Sequence, residues 1–84
     1  MKTNVDFKKC TLAELPPGSE GVVCAVDDSF PIASRMLDLG LRPETTVRVV
    51  RRAPLGDPIE LELRGYRLCL RRCDAGSVIV RRTA

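Results

Sequence analysis

Eighty-four residues make one small domain, with too little chain for both a packed core and a deep catalytic cleft. Apolar residues supply 44% of the chain and charged ones 30%, a globular balance, and no apolar run approaches the ~18 residues of a membrane span. The net charge is +3, with 14 basic side chains interleaved among 11 acidic ones, and with one Tyr, two Phe and no Trp the chain lacks the aromatic platform on which single-stranded nucleic acid stacks.

Residues Met1–Lys9 are polar and basic and read as a frayed end, so that 1–10 forms an extension ahead of a domain at 11–82. Thr11-Leu12-Ala13-Glu14 has capping-box spacing, which predicts a single helical turn stopped by Pro16-Pro17-Gly18. Gly21–Val26 is a short apolar strand, with Val22, Cys24 and Val26 on one face, Val23 and Ala25 on the other, and both faces covered. Asp28 or Ser29 then caps a helix of about nine residues whose first turn accommodates Pro31. Ile32, Met36 and Leu39 recur at i, i+4 and i+7, Ala33 and Leu37 widen that stripe, and Arg35 and Asp38 point away from it. Gly40 is the natural left-handed residue after the last turn, Leu41 its apolar partner, and Pro43 bars the helix from resuming.

Thr45–Arg52 is the next strand, with Val47 and Val49 opposite Arg48 and Val50. Ala53–Pro58 is a loop: Pro54 presets a turn, Gly56 ends it, and Pro58 keeps Asp57 extended. A hairpin follows. Ile59, Leu61 and Leu63 alternate with Glu60, Glu62 and Arg64, and Tyr66, Leu68 and Leu70 alternate with Arg67, Cys69 and Arg71. An Arg64-Gly65 turn pairs Leu63 with Tyr66, Leu61 with Leu68 and Ile59 with Leu70, putting all six on the core face and Glu62 opposite Arg67, a pair worth ~0.2–1 kcal/mol. A two-residue turn asks for φ > 0 at Arg64 as well as Gly65, which points instead to a longer or bulged turn. Asp74-Ala75-Gly76 makes the last turn and Ser77–Arg81 the last strand.

Five or so short antiparallel strands with tight turns curl most economically into a small SH3-like β-barrel, mainly β, with one short helix between the first two strands plugging a mouth and a one-turn helix at the N-terminus. The four cysteines, Cys10, Cys24, Cys69 and Cys73, contain no C-x-x-C pair, and there is no histidine. Cys24 is read as a small core residue and the others as free surface thiols. The alternative is a weak metal site at Cys69, Glu60 and Cys73, holding an adventitious or dimer-bridging zinc ion.

The stretch Leu37–Pro43 (LDLGLRP), the strand and loop Val49–Pro58 (VVRRAPLGDP), the hairpin Ile59–Arg71 (IELELRGYRLCLR) and the opening Thr11–Gly18 (TLAELPPG) together resemble the FeoA family of ferrous iron transport proteins. The resemblance covers nearly all of the chain after Thr11. It implies an SH3-like barrel in the bacterial cytoplasm, an accessory protein of ferrous iron uptake, and as partner the membrane permease FeoB with its cytosolic GTP-binding domain. It brings no catalytic residues. Glu44 stands where the family usually has Gly, and Cys69 and Cys73 where it commonly has small or polar residues, so any thiol chemistry would belong to this chain alone.

The function expected is a non-enzymatic adaptor that needs no cofactor, inserts in no membrane and binds no nucleic acid, peripheral to the inner-membrane permease; a homodimer is left open. No His, Walker-type loop or clustered carboxylate pair supports an enzyme. Too few aromatics line a proline-peptide groove. The alternatives are a regulatory SH3-like module related to the C-terminal domain of iron-dependent repressors, and a small basic nucleic-acid-binding barrel. Leu55, on a loop stiffened by Pro54 and Pro58, is the candidate contact, because an apolar side chain on a rigid loop loses little entropy on burial by a partner. Arg51, Arg52 and Arg67 ring it with charge, and Arg35 and Asp38 offer a second surface. Against these stand a Leu55 folded back over the barrel mouth and arginines that are merely solvated strand ends.

Overall fold

The computed structural model describes residues 9–83, so of the frayed end expected at 1–9 residues 1–8 lie outside the described residues, while Lys9 is not frayed but opens the first strand, paired with Arg81. The described residues form six antiparallel strands: β1 (Lys9–Thr11), β2 (Glu20–Val26), β3 (Thr46–Arg52), β4 (Ile59–Leu63), β5 (Tyr66–Leu70) and β6 (Val78–Arg82). They run in the order β1-β6-β2-β3-β4-β5, so the sheet curls as an SH3-like barrel without closing: β1 and β5 are its edges. β1 is one strand more than the sequence pattern suggested. Its three residues, Lys-Cys-Thr, carry no apolar alternation and are held by pairing with Ile79–Arg81.

The predicted turn at Thr11 forms as a 3-10 turn, Leu12–Glu14, with the Glu14 carboxylate accepting the Thr11 N–H at 3.2 Å. It packs against β6 and against α2 (Arg72–Ala75), a one-turn helix where a simple turn was expected. Helix α1 (Ala33–Asp38) is six residues rather than nine, because Asp27 accepts the Ser29 N–H and hydroxyl and holds the segment before Pro31 in turns instead of helix. Its end is a Schellman motif: Gly40 takes φ +102°, Gly40 N–H donates to Leu37 O at 3.0 Å, and Leu41 N–H donates to Met36 O at 3.1 Å.

Two β-bulges correct the simple alternation. In β2 the extra residue against β6 is Cys24, which is therefore half-buried at a kink rather than a core residue, and Ala25 beyond it is exposed. In β3 the extra residue against β4 is Val50, which turns Arg51 outward to face Glu60 and Arg52 inward beside Ile59. The core is otherwise the predicted apolar face: Val47, Val49, Ile59, Leu61 and Leu63 pack with Leu12, Val23, Met36 and Val80.

The hairpin has the predicted register, Leu63 with Tyr66, Leu61 with Leu68 and Ile59 with Leu70. Its turn is neither longer nor bulged. Arg64 accepts φ +50° and Gly65 φ +82°, the pair of left-handed residues that a two-residue turn needs. Tyr66 is not core: 43% exposed, it stands at the hairpin tip, where its hydroxyl donates to the Leu39 carbonyl at the end of α1. Glu44, in the turn after Pro43, also takes a positive φ of +73°, and its N–H donates to Val23 O at 2.8 Å.

Candidate docking face

The loop 53–58 joins β3 to β4 and is braced from three sides. Ala53 N–H donates to Pro58 O at 3.1 Å, Gly56 N–H to Ala53 O at 2.7 Å, and the Asp57 carboxylate accepts the Arg72 N–H, the first amide of α2, at 3.0 Å. At its tip Leu55 is 94% exposed and does not fold back over the barrel. An isolated exposed leucine is ordinary. This one is held on a loop tied at both ends, so its position is set before anything meets it.

Below the loop, the bulge at Val50 sets Arg51 against Glu60. The Glu60 carboxylate is forked between two guanidinium groups, Arg51 at 3.0 Å and Arg67 at 3.2 Å, while Glu62 pairs with Arg48 at 2.9 Å rather than with Arg67, its cross-strand neighbour. Arg48–Glu62 and Arg51–Glu60 are direct register partners of β3 and β4, and only Arg67–Glu60 runs diagonally, across β4 and β5. Exposed pairs of this kind each add at most ~1 kcal/mol, so they order the surface more than they stabilise it.

Arg52 does not join the charged ring. Half-buried, it donates through Nη2 to the carbonyls of Ala13 and Leu15, satisfying acceptors that the 3-10 turn leaves open. Cys69 faces Glu60 across the hairpin as the register predicts, but both oxygens of Glu60 are engaged by arginine. Cys73 is exposed on α2 with Sγ 3.8 Å from Asp74 Oδ1. Among the described residues no three His, Cys, Asp or Glu side chains gather as a metal-binding group. Cys10, on edge strand β1, is a different thiol: partial burial, then the nearby Glu14 carboxylate, push its pKa up against the opposing pull of Arg82.

A feature that sequence reading missed is a groove of about 750 Å³ between α1 and β5. Phe30, Ile32, Leu39 and Leu68 give it apolar walls, and Arg35, Arg71 and Asp74 complete the lining, whereas Asp38 is exposed on α1 outside it. The sequence holds no local clue to it, because the segments that line it are about thirty residues apart in the chain. Cys69 lines this groove and also the small cleft formed by Arg51, Ala53, Pro58 and Glu60 at the base of the loop. The Leu55 loop and the groove are therefore neighbours on one face, with Cys69 between them.

Residues 10–82 match the FeoA domain. The chain belongs to the FeoA family. A Porphyromonas gingivalis relative, an Fe(2+) transport protein A/Fe(2+) transporter FeoB fusion protein, is 35% identical over 69 residues, 82% of this chain but only 8% of the fusion's length. Among solved structures, the FeoA-like protein of Clostridium acetobutylicum superposes with a TM-score of 0.86 at 31% identity, covering 92% of this chain and 90% of that one. Stenotrophomonas maltophilia FeoA, an SH3 domain protein solved with zinc, gives 0.75 at 35% identity over 83% and 87% of the two chains. FeoA proteins are accessory SH3-like proteins linked to ferrous iron transport, and in the P. gingivalis fusion the FeoA part shares a polypeptide with FeoB.

Proposed function

We propose that this protein is a non-enzymatic accessory factor that docks on the cytoplasmic side of an FeoB-type permease, at its GTP-binding domain, and supports or regulates ferrous iron uptake. The observation that carries the reading is Leu55, 94% exposed on a loop braced by Asp57 and Arg72 and flanked by the Arg51–Glu60–Arg67 cluster. A rigid apolar tip with a charged surround is the anatomy of an interface anchor and its rim. The relative that joins FeoA and FeoB in one chain supports this choice of partner. Arg35, exposed on α1, extends the face; Arg52 supports it from inside the fold. No cofactor is needed for such a role. Ferrous ion is expected to bind the isolated protein weakly, since among the described residues no three His, Cys, Asp or Glu side chains cluster as a metal site.

The test is titration of the cytosolic GTP-binding domain of the same organism's permease with wild-type protein and with Leu55→Glu. Wild type should bind, and the substitution should weaken binding roughly tenfold or more, the cost expected of an interface anchor. Equal binding by both would remove the loop from the interface, and GTP turnover by the isolated protein would contradict a non-enzymatic role.

A further inference from the structure

β5 ends the sheet, and its outer edge is unpaired among the described residues. In a two-residue hairpin the residues flanking the turn exchange both backbone bonds, and the exchange repeats at every second position. Tyr66, Leu68 and Leu70 therefore direct their N–H and C=O groups at β4, while Arg67 and Cys69 direct theirs outward. Of these two, Cys69 also lines the groove, together with Leu68 and Leu70 on either side of it. Such an edge is usually covered, bulged or shielded. Here the flanking charge is positive on balance, three arginines against the single groove carboxylate of Asp74: Arg35 and Arg71 have no ion-pair partner among the described residues, and Arg67 shares its single carboxylate with Arg51.

The geometry points to β5 as a receptor for an added strand: an extended segment of the partner in which apolar residues alternate with Asp or Glu. Its backbone pairs with the outward amides and carbonyls of Arg67 and Cys69. Its apolar side chains enter the groove beside Leu68, Ile32 and Leu39, and its acidic side chains, which alternate to the opposite face, meet Arg67. A second copy of this chain does not fit, because antiparallel pairing of two β5 edges would gather Arg67 and Arg71 of both copies along one ladder. The inference names a partner chemistry for the proposed docking face and stands or falls separately from the Leu55 contact.

The experiment is an NMR titration of the ¹⁵N-labelled protein with a short, end-capped peptide of alternating Glu and Val, and with its Lys-for-Glu counterpart. The Glu peptide should shift the amides of Arg67, Cys69, Ile32 and Leu39, slow hydrogen exchange at Arg67 and Cys69, and bind roughly tenfold more tightly than the Lys peptide. Cys69→Pro removes an outward donor without touching the β4 ladder and should abolish the response, as edge strands tolerate proline where the N–H faces solvent; Arg67→Glu should invert the charge preference. No shift at millimolar Glu peptide, equal binding of the two peptides, or shifts confined to residues 53–58 would overturn the inference. So would concentration-dependent protection of Arg67 and Cys69 without peptide, which would assign the edge to a second copy. Failure of the peptide leaves the permease titration unaffected, and failure of the permease titration leaves the peptide result standing.

Discussion

The Tyr66 hydroxyl donates to the carbonyl of Leu39, and it can do so because Gly40 has no side chain. A Cβ on Gly40 would lie 2.5 Å from that hydroxyl, and the residue also holds φ +102°. One glycine thus ends α1 and lets the hairpin tip latch onto it.

Gly40→Ala should accordingly cost ~2 kcal/mol or more from backbone strain and steric conflict together. Tyr66→Phe alone should cost ~0.5–1.5 kcal/mol for the lost hydrogen bond. The two should not add: with the hydroxyl gone, the alanine loses its closest clash, and urea unfolding of the double variant should show a coupling of ~0.5–3 kcal/mol. Additive costs would mean that only the backbone angle matters at Gly40.

Neighbouring arginines should behave differently. Arg52→Ala removes charged hydrogen bonds to Ala13 and Leu15 and should cost ~1.5–3 kcal/mol, with each kcal/mol lowering Tm by ~4–8 °C. Arg51→Ala breaks only an exposed pair with Glu60 and should cost under ~1 kcal/mol. Thermal melts of the two variants check the ranking, and comparable losses would show that Arg52 is no anchor.

Two residues bear left-handed backbone that glycine or asparagine would bear more cheaply. Arg64→Asn should stabilise the hairpin by up to ~1 kcal/mol, since asparagine suits the first position of this turn. Glu44→Gly should gain less, because glycine also loosens the unfolded chain by ~0.5–1 kcal/mol. Chemical denaturation reads both, and a destabilised Arg64→Asn would indicate that the Arg64 contact with Thr45 matters more than the turn.

The thiols should separate by reactivity. Cys69 and Cys73 are exposed and should react with iodoacetamide at mildly alkaline pH before Cys10, whose raised pKa leaves less thiolate. Since the folded pKa of Cys10 lies above that of the unfolded chain, the thiol contributes stability that is complete below the unfolded value and is lost as the pH rises through the folded one. Cys10→Ala should flatten that alkaline slope; peptide mapping after partial alkylation tests the first expectation and pH-dependent melts the second.

The hairpin was legible because one face of each strand is apolar and a slip would expose it, so pattern and register are the same information. The stiffened loop around Leu55 was legible from its prolines, but not whether the side chain folds back or stands exposed, which depends on what surrounds the loop. β1 was not, since three residues of an edge strand are held by partner hydrogen bonds rather than by an apolar face. Neither was the role of Arg52, which depends on the bulge at Val50 and on carbonyls 37 and 39 residues away. The groove escaped for the same reason: α1 and β5 build it together, and no local pattern records which distant segments will face each other.

Asp57 gives the loop a mechanical connection. Its carboxylate holds the first amide of α2, and α2 leads through the buried Ser77 into β6, the strand seated between β1 and β2. A partner that takes hold of Leu55 therefore pulls on more than a tip. Its load passes across the Asp57–Arg72 link toward β6, the neighbour of edge strand β1 at the opposite end of the strand order from the β4–β5 hairpin.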